Sequence, residues 1–289
     1  MIKKPINIAH SPDADDIFMY EAINLGWVSS DFKYKRVADD IQTLNQAAID
    51  GVYDVCAISF GLYPLIQKDY ALLKTAVSFG NGYGPKLIKK KDTKLKPNFK
   101  VALSGAHTTN AMIFRLAYPG ARIVYKNFLD IENAVLSGEV DAGVLIHESI
   151  LDFDDKLCVE RELWDIWCEQ SYNIAKKELT LPLGGMVLSR SLPITDAIKI
   201  EKELIKAVDV AVKCKKTLSK QLLGMGVFRV DELKLDKYLS MYANDESICL
   251  SDEQCESIDV LFTLCEKLHG IKCSVKDNLI PQEYTTHRF

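Results

Sequence analysis

At 289 residues, with 48% hydrophobic and 26% charged side chains, the chain can bury a substantial core as one large or two ordinary domains. Its 36 Lys and Arg stand against 40 Asp and Glu, a formal net charge of -4 interspersed along the sequence, which excludes a nucleic-acid-binding stripe and an acidic tail. No run of 18 apolar residues occurs, which excludes a membrane-spanning helix on length.

Residues 6–9 (INIA) read as a strand, and 15–25 as a helix in which Ile17, Phe18 and Ala22 return to one face. Residues 34–37 give a second strand, 41–49 a second helix stopped at Gly51, 55–60 (VCAISF) a third strand, and 63–68 a helix beginning near Pro64. Such alternation predicts a mostly parallel sheet covered by helices. Lys89-Lys90-Lys91 reads as a solvated loop, and the lysine-rich stretch LIKKKDTKLKPNFK that contains it reads as a boundary. A second α/β unit follows it: strand 101–104, helix 108–116, strand 121–125, a helix around 131–136 and strand 142–146. From Thr195 onward the pattern is helical, over 198–219, 231–242 and 252–268. Two α/β units with a helical tail imply an α/β fold of two lobes, the first discontinuous. Residues 1–88 and 184–289 would form the large lobe and 89–183 the small one. A ligand would then bind between the lobes, at the carboxyl ends of strands.

The start, MIKKPINIAHSPDADD, has no secretory apolar region, so a cytoplasmic location is expected. None of the eight cysteines forms a C-x-x-C pair, and they read as reduced structural thiols, not as a disulfide or zinc framework.

Four strand ends carry polar residues: His10 and Ser11; Ser59; Ser104 followed by Thr108, Thr109 and Asn110; and His147 with Glu148. The S-G-x-x-T-T-N stretch suits two roles equally, an anion site at a helix start or an N-cap with its turn. Asp13, Asp15 and Asp16 lack the Gly and the distant Glu of a calcium loop. A catalytic carboxylate pair needs environments that separate two pKa values, which sequence does not display. Helix initiation is therefore the first reading of these acids. His147, directly after a strand, is a candidate general base. His269 and His287, in the tail, read as incidental. GNGYGP (80–85, with Tyr83 and Gly84) and LPLGG (181–185, with Pro182 and Gly184) suit close approach of backbone to a ligand, a hinge, or ordinary turns. No P-loop, Rossmann, G-x-S-x-G or H-E-x-x-H motif is present.

Taken in order, H-S-P-D-A-D-D-I-F, I-S-F-G-L-Y-P-L, G-x-G-Y-G-P, S-G-x-x-T-T-x, D-A-G-V-L-I-H-E and L-P-L-G-G resemble the 1,4-dihydroxy-6-naphthoate synthase family of the futalosine route to menaquinone. That resemblance implies a two-lobed fold like the type 2 periplasmic binding proteins, used as a cytoplasmic lyase without metal or redox cofactor. The implied reaction turns cyclic dehypoxanthine futalosine into 1,4-dihydroxy-6-naphthoate with release of the sugar-derived fragment. His147 matches the family's proposed base. Ser59, Thr108 and Thr109 match positions expected to hold the substrate's carboxylate and oxygens. Ser104, Asp16, Tyr83, Gly84, Pro182 and Gly184 lie in the matched motifs and are further substrate-binding candidates. The implied partner is a small-molecule carboxylate, with no nucleic acid and no membrane; the oligomeric state is left open. Many members carry S-P-x-x-N-D-T-F, whereas here Asp15 and Ile17 replace the Asn and Thr and Asp16 is kept. Rival readings are chorismate dehydratase, which should lack the histidine of I-H-E, a non-catalytic small-carboxylate binder, and a regulatory domain. No helix-turn-helix precedes the first strand.

Overall fold

Residues 4–226 and 231–283 are described by the computed structural model of the chain. In chain order the strands are β1 (Lys4–His10), β2 (Phe32–Ala38), β3 (Val55–Ser59), β4 (Tyr70–Leu72), β5 (Ser78–Gly80), β6 (Lys86–Lys90), β7 (Lys100–Leu103), β8 (Arg122–Tyr125), β9 (Ala142–Leu145), β10 (Leu157–Glu162) and β11 (Leu181–Ser189). They form two sheets. The first runs β2-β1-β3-β11-β4 with β5 also paired to β11, and the second runs β10-β6-β9-β7-β8. The chain therefore leaves the first sheet after β5, builds the second, and returns through β11.

β1 pairs in parallel with β2 and β3, and β7 in parallel with β8 and β9, as strands joined through helices must. Every residue of β3 (VCAIS) is buried, the pattern of a strand covered on both faces. β11 is antiparallel to β3, β4 and β5. Its two glycines permit this: a Cβ on Gly184 would meet the Ile58 carbonyl oxygen at 2.9 Å, and one on Gly185 the Phe60 ring at 2.7 Å.

Three parts of the structure differ from the pattern in the sequence. The lysine-rich stretch is not a loop at its start: Lys86–Lys90 is β6, paired on both sides, with Leu87 and Ile88 buried and Lys89 2.9 Å from Glu160 on β10. The helix expected over 198–219 is two, Ile194–Lys213 and Lys215–Gly224, broken at Cys214 where the backbone leaves helical geometry (φ -102, ψ 19). Strands β4, β5, β10 and β11 and the helix Leu163–Ala175 had no reading of their own; that helix is anchored by the buried Trp167, whose indole N–H donates to the Leu179 carbonyl at 2.7 Å.

All eight cysteines are free thiols. Among the described residues no helix is long and apolar enough to cross a membrane. His287 lies outside the described residues.

Candidate active site

Parallel strands point their carboxyl ends one way, and the loops after β1, β3 and β9 converge with β11 on one cleft of about 750 Å³, counted out to its open mouth. Both sheets contribute. Asp13, Asp15, Asp16, Ser59 and Gly184 come from the first, and Thr108, Thr109, Asn110 and His147 from the second.

β9 ends at Leu145, and His147 opens a short turn, His147–Ile150, with φ 55 in the left-handed region. For a residue with a Cβ that conformation costs roughly 1–3 kcal/mol, and the surroundings hold it in place. The imidazole packs edge-on against Phe128 with ring centroids 4.9 Å apart. Its Nδ1 lies 2.6 Å from Asp13 Oδ2, and the same carboxyl oxygen accepts the Ser11 hydroxyl at 2.6 Å. Nε2 is buried and has no hydrogen-bond partner among the described residues. Desolvation lowers the pKa of the ring, but the Asp13 carboxylate, by charge and hydrogen bond, outweighs it with help from Glu148 and Asp15 and lifts the value to about 9.

The acids of the first helix do not act as the sequence suggests. Asp13 occupies the N-cap of the helix Ala14–Asn24 but makes no capping bond, because its carboxylate is turned to His147 and Ser11. The capping acceptor comes instead from Glu148, whose Oε1 takes the Ala14 N–H at 3.0 Å. The two loops thus exchange carboxylates. Asp16 accepts the Ser11 N–H at 2.7 Å, and Asp15 accepts the Ser78 hydroxyl at 2.9 Å and the Tyr238 hydroxyl at 3.3 Å. Burial and the neighbouring carboxylates raise the pKa of both Asp15 and Asp16. Among the described residues no His, Cys, Asp or Glu group is arranged to hold a metal ion.

Across the cleft, the helix Thr109–Ala117 begins with Thr108 as N-cap, its hydroxyl accepting from the Ala111 N–H at 3.2 Å. Thr109 ties the halves together: its hydroxyl donates to the Leu183 carbonyl on β11 at 2.8 Å and accepts the Gly61 N–H at 2.9 Å. Ser59 is fixed by Asn45, which donates to its hydroxyl oxygen at 3.2 Å and accepts its N–H at 3.0 Å. No lysine or arginine lines the cleft among the described residues. The start of the Thr109–Ala117 helix, the positive end of its dipole, stands in the lining.

Of the residues singled out by sequence, Asp16, Ser59, Thr108, Thr109, His147 and Gly184 line the cleft. Four lie behind the lining. Ser104 accepts from Asn110 Nδ2 at 3.3 Å, Tyr83 donates to the Met241 carbonyl at 2.6 Å, Gly84 packs on Leu181, and Pro182 belongs to the β5–β11 pairing. Ser78, Tyr238 and Tyr242 were not anticipated in the lining. The two tyrosines sit four residues apart on the helix Glu232–Tyr242, a spacing that places both on one face and was a readable signal. His10 is structural: burial pushes its pKa down to about 4, Nδ1 donates to the Ser11 carbonyl at 2.7 Å, and Nε2 accepts from Arg36.

Residues 6–267 match the family described as menaquinone biosynthesis. The chain is 28% identical over 208 residues to a 1,4-dihydroxy-6-naphtoate synthase of Thermus thermophilus, covering 72% of each chain. To the protein of the same name from Streptomyces coelicolor it is 27% identical over 269 residues, 89% of this chain and 92% of that one. Among solved structures, protein AF1704 of Archaeoglobus fulgidus superposes with a TM-score of 0.83 at 30% identity, over 92% of this chain and 98% of that chain. A ligand-binding component of an ABC-type import system from Staphylococcus aureus shares the fold alone, with a TM-score of 0.69 at 11% identity over 96% and 97% of the two chains. The two-sheet α/β architecture is thus that of the periplasmic-binding-protein-like proteins.

Proposed function

Because the chain belongs to the menaquinone-biosynthesis family, we propose that it acts as a 1,4-dihydroxy-6-naphthoate synthase, a lyase converting cyclic dehypoxanthine futalosine to 1,4-dihydroxy-6-naphthoate. The observation that carries this reading is the His147 ring in the cleft lining, held through Nδ1 by Asp13 and with a buried Nε2 that has no partner among the described residues. In the neutral ring Asp13 keeps the proton on Nδ1, so the Nε2 lone pair is the base. It removes a proton made acidic by an adjacent carbonyl, and elimination with aromatisation then expels the sugar-derived fragment. Thr108, Thr109 and Asn110 at their helix start hold the substrate carboxylate. The carboxylates beside His147 disfavour the opposite orientation by charge repulsion. Ser59 receives the Asn45 amide proton, which leaves its own hydroxyl proton for a substrate oxygen.

The lobes expected at 1–88 with 184–289 and at 89–183, limits that fall inside β6 and β11, close over the substrate and exclude water. The reaction is assigned to the cytoplasm. Purified protein incubated with cyclic dehypoxanthine futalosine should yield 1,4-dihydroxy-6-naphthoate by chromatography. Binding without consumption would instead identify a small-carboxylate binder, and neither binding nor consumption would remove the proposal.

A further inference from the structure

Outside the cleft, the described residues form a second cavity of about 740 Å³, counted out to its open mouth, where the two halves of the molecule meet again. Leu65, on the short helix Tyr63–Ile66, and Leu268 and His269, at the end of the Asp252–His269 helix, make one side. His107, just before the Thr109–Ala117 helix, and Met112 and Arg115 upon it make the other. Thr108 lines both this cavity and the cleft.

The lining holds one guanidinium, two imidazoles and no carboxylate, the reverse of the cleft, which holds acids and neither lysine nor arginine among the described residues. Arg115 donates to the Ala106 carbonyl at 3.1 Å and to the Tyr125 hydroxyl, and no carboxylate pairs with it among the described residues. Three of its five N–H donors are left over. The His107 and His269 rings likewise make no hydrogen bond among the described residues. Burial first, then the charges of Arg115 and His269, lower the pKa of His107, so its ring is neutral at pH 7 and Arg115 supplies the permanent charge. The carbonyl end of the Asp252–His269 helix, negative by its dipole, is met by Lys267 and His269 in its last turn. Everything else is apolar. Met112 is buried, whereas Leu65 and Leu268 stay 39% and 44% exposed, apolar surface that the fold itself leaves uncovered.

We propose that this cavity is a second ligand site, taking a singly charged carboxylate with an apolar body: the carboxylate on the free donors of Arg115, the body against Leu65, Met112 and Leu268. A guanidinium with several free N–H groups matches a carboxylate in shape and charge. A small dianion such as phosphate would find one permanent cation and would leave the leucines wet. An occupant touches both halves of the molecule and the segment that starts the Thr109–Ala117 helix, so it sits where it can bias how the halves meet.

The test is NMR of protein with isotope-labelled histidine rings, the His107 and His269 signals being assigned through His107→Gln and His269→Gln. Wild-type protein is titrated at neutral pH with 2-naphthoate, with uncharged 2-naphthamide and with inorganic phosphate. 2-Naphthoate should move the His107 and His269 signals to saturation and raise the pKa of His107, because a bound carboxylate offsets the Arg115 charge. The amide and phosphate should each need at least about tenfold more for half-saturation. Arg115→Gln removes the charged partner, and Leu268→Asp sets a like charge in the exposed wall. Each variant, folded by circular dichroism, should weaken 2-naphthoate by about tenfold or more, with any response at His147 unchanged.

His107 and His269 signals that stay still, with or without movement at His147, would overturn the proposal. So would amide or phosphate binding as tight as that of 2-naphthoate, or undiminished binding in either variant. No turnover enters the measurement, so failure of this site and failure of the proposed reaction are seen separately.

Discussion

The helices Thr109–Ala117 and Ala14–Asn24 both begin at the cleft, but only the first is capped by its own N-cap side chain. Thr108 serves its helix locally, and no acidic residue stands in that first turn, so the helix start remains a place for a negative charge. Asp13 is freed from capping because Glu148 reaches over from the other sheet, and the freed carboxylate holds an imidazole. One loop is thereby neutral and suited to binding, the other acidic and suited to moving protons. Under the proposed function, the difference sets the direction in which a carboxylate substrate would lie in the cleft.

Substitutions can break this contrast in order of severity. His147→Ala should lower kcat by roughly 10² to 10⁴ while leaving fold and substrate binding intact, as shown by circular dichroism and titration; unchanged turnover would take the ring out of the chemistry. Asp13→Asn should cost on the order of 10²-fold, since the ring loses its anchor. Asp13 raises the pKa of His147, so its loss favours the neutral ring and should move the rising limb of the pH–rate profile to lower pH. A limb that stays in place would show that Asp13 does not control the ring. Replacing Thr108 and Thr109 together by Ala removes the cap and the tether to β11 that fix the helix start proposed to face the substrate, each hydrogen bond being worth about 0.5–1.5 kcal/mol. Calorimetric affinity for substrate should fall by about tenfold. Undiminished affinity would confine these residues to capping and tethering. The smallest effect belongs to Glu148→Ala, which strips the borrowed cap: about 1 kcal/mol of stability, or roughly 2–4 °C in Tm, with Glu148→Gln closer to wild type. Equal melting of all three proteins would show that this cap carries no weight.

Much of this arrangement was legible in the order of residues. Apolar strands ending at Ser59, Ser104 and Ile146 located the crevice, because parallel strands open their ligand sites at carboxyl ends. His147 followed from that placement. What could not be read was which helix a given carboxylate would cap: Asp13 and Glu148 are far apart in sequence, and their exchange exists only after two sheets meet. Ser78 was invisible for the same reason, and Tyr238 and Tyr242 left only their shared helix face as a signal. Lys86–Lys90 misled because its pattern looks like a solvated run; Leu87 and Ile88 are buried while Lys89 keeps its ammonium paired with Glu160.

The central claim is that Asp13 holds His147 by Nδ1 and leaves Nε2 to the substrate. Nitrogen-15 NMR of the His147 ring, followed from acid to alkaline pH in the ligand-free protein, tests it directly. The ring should lose its proton near pH 9 and the neutral form should carry hydrogen on Nδ1. Titration at or below the ordinary 6.5, or a neutral ring protonated on Nε2, would contradict it.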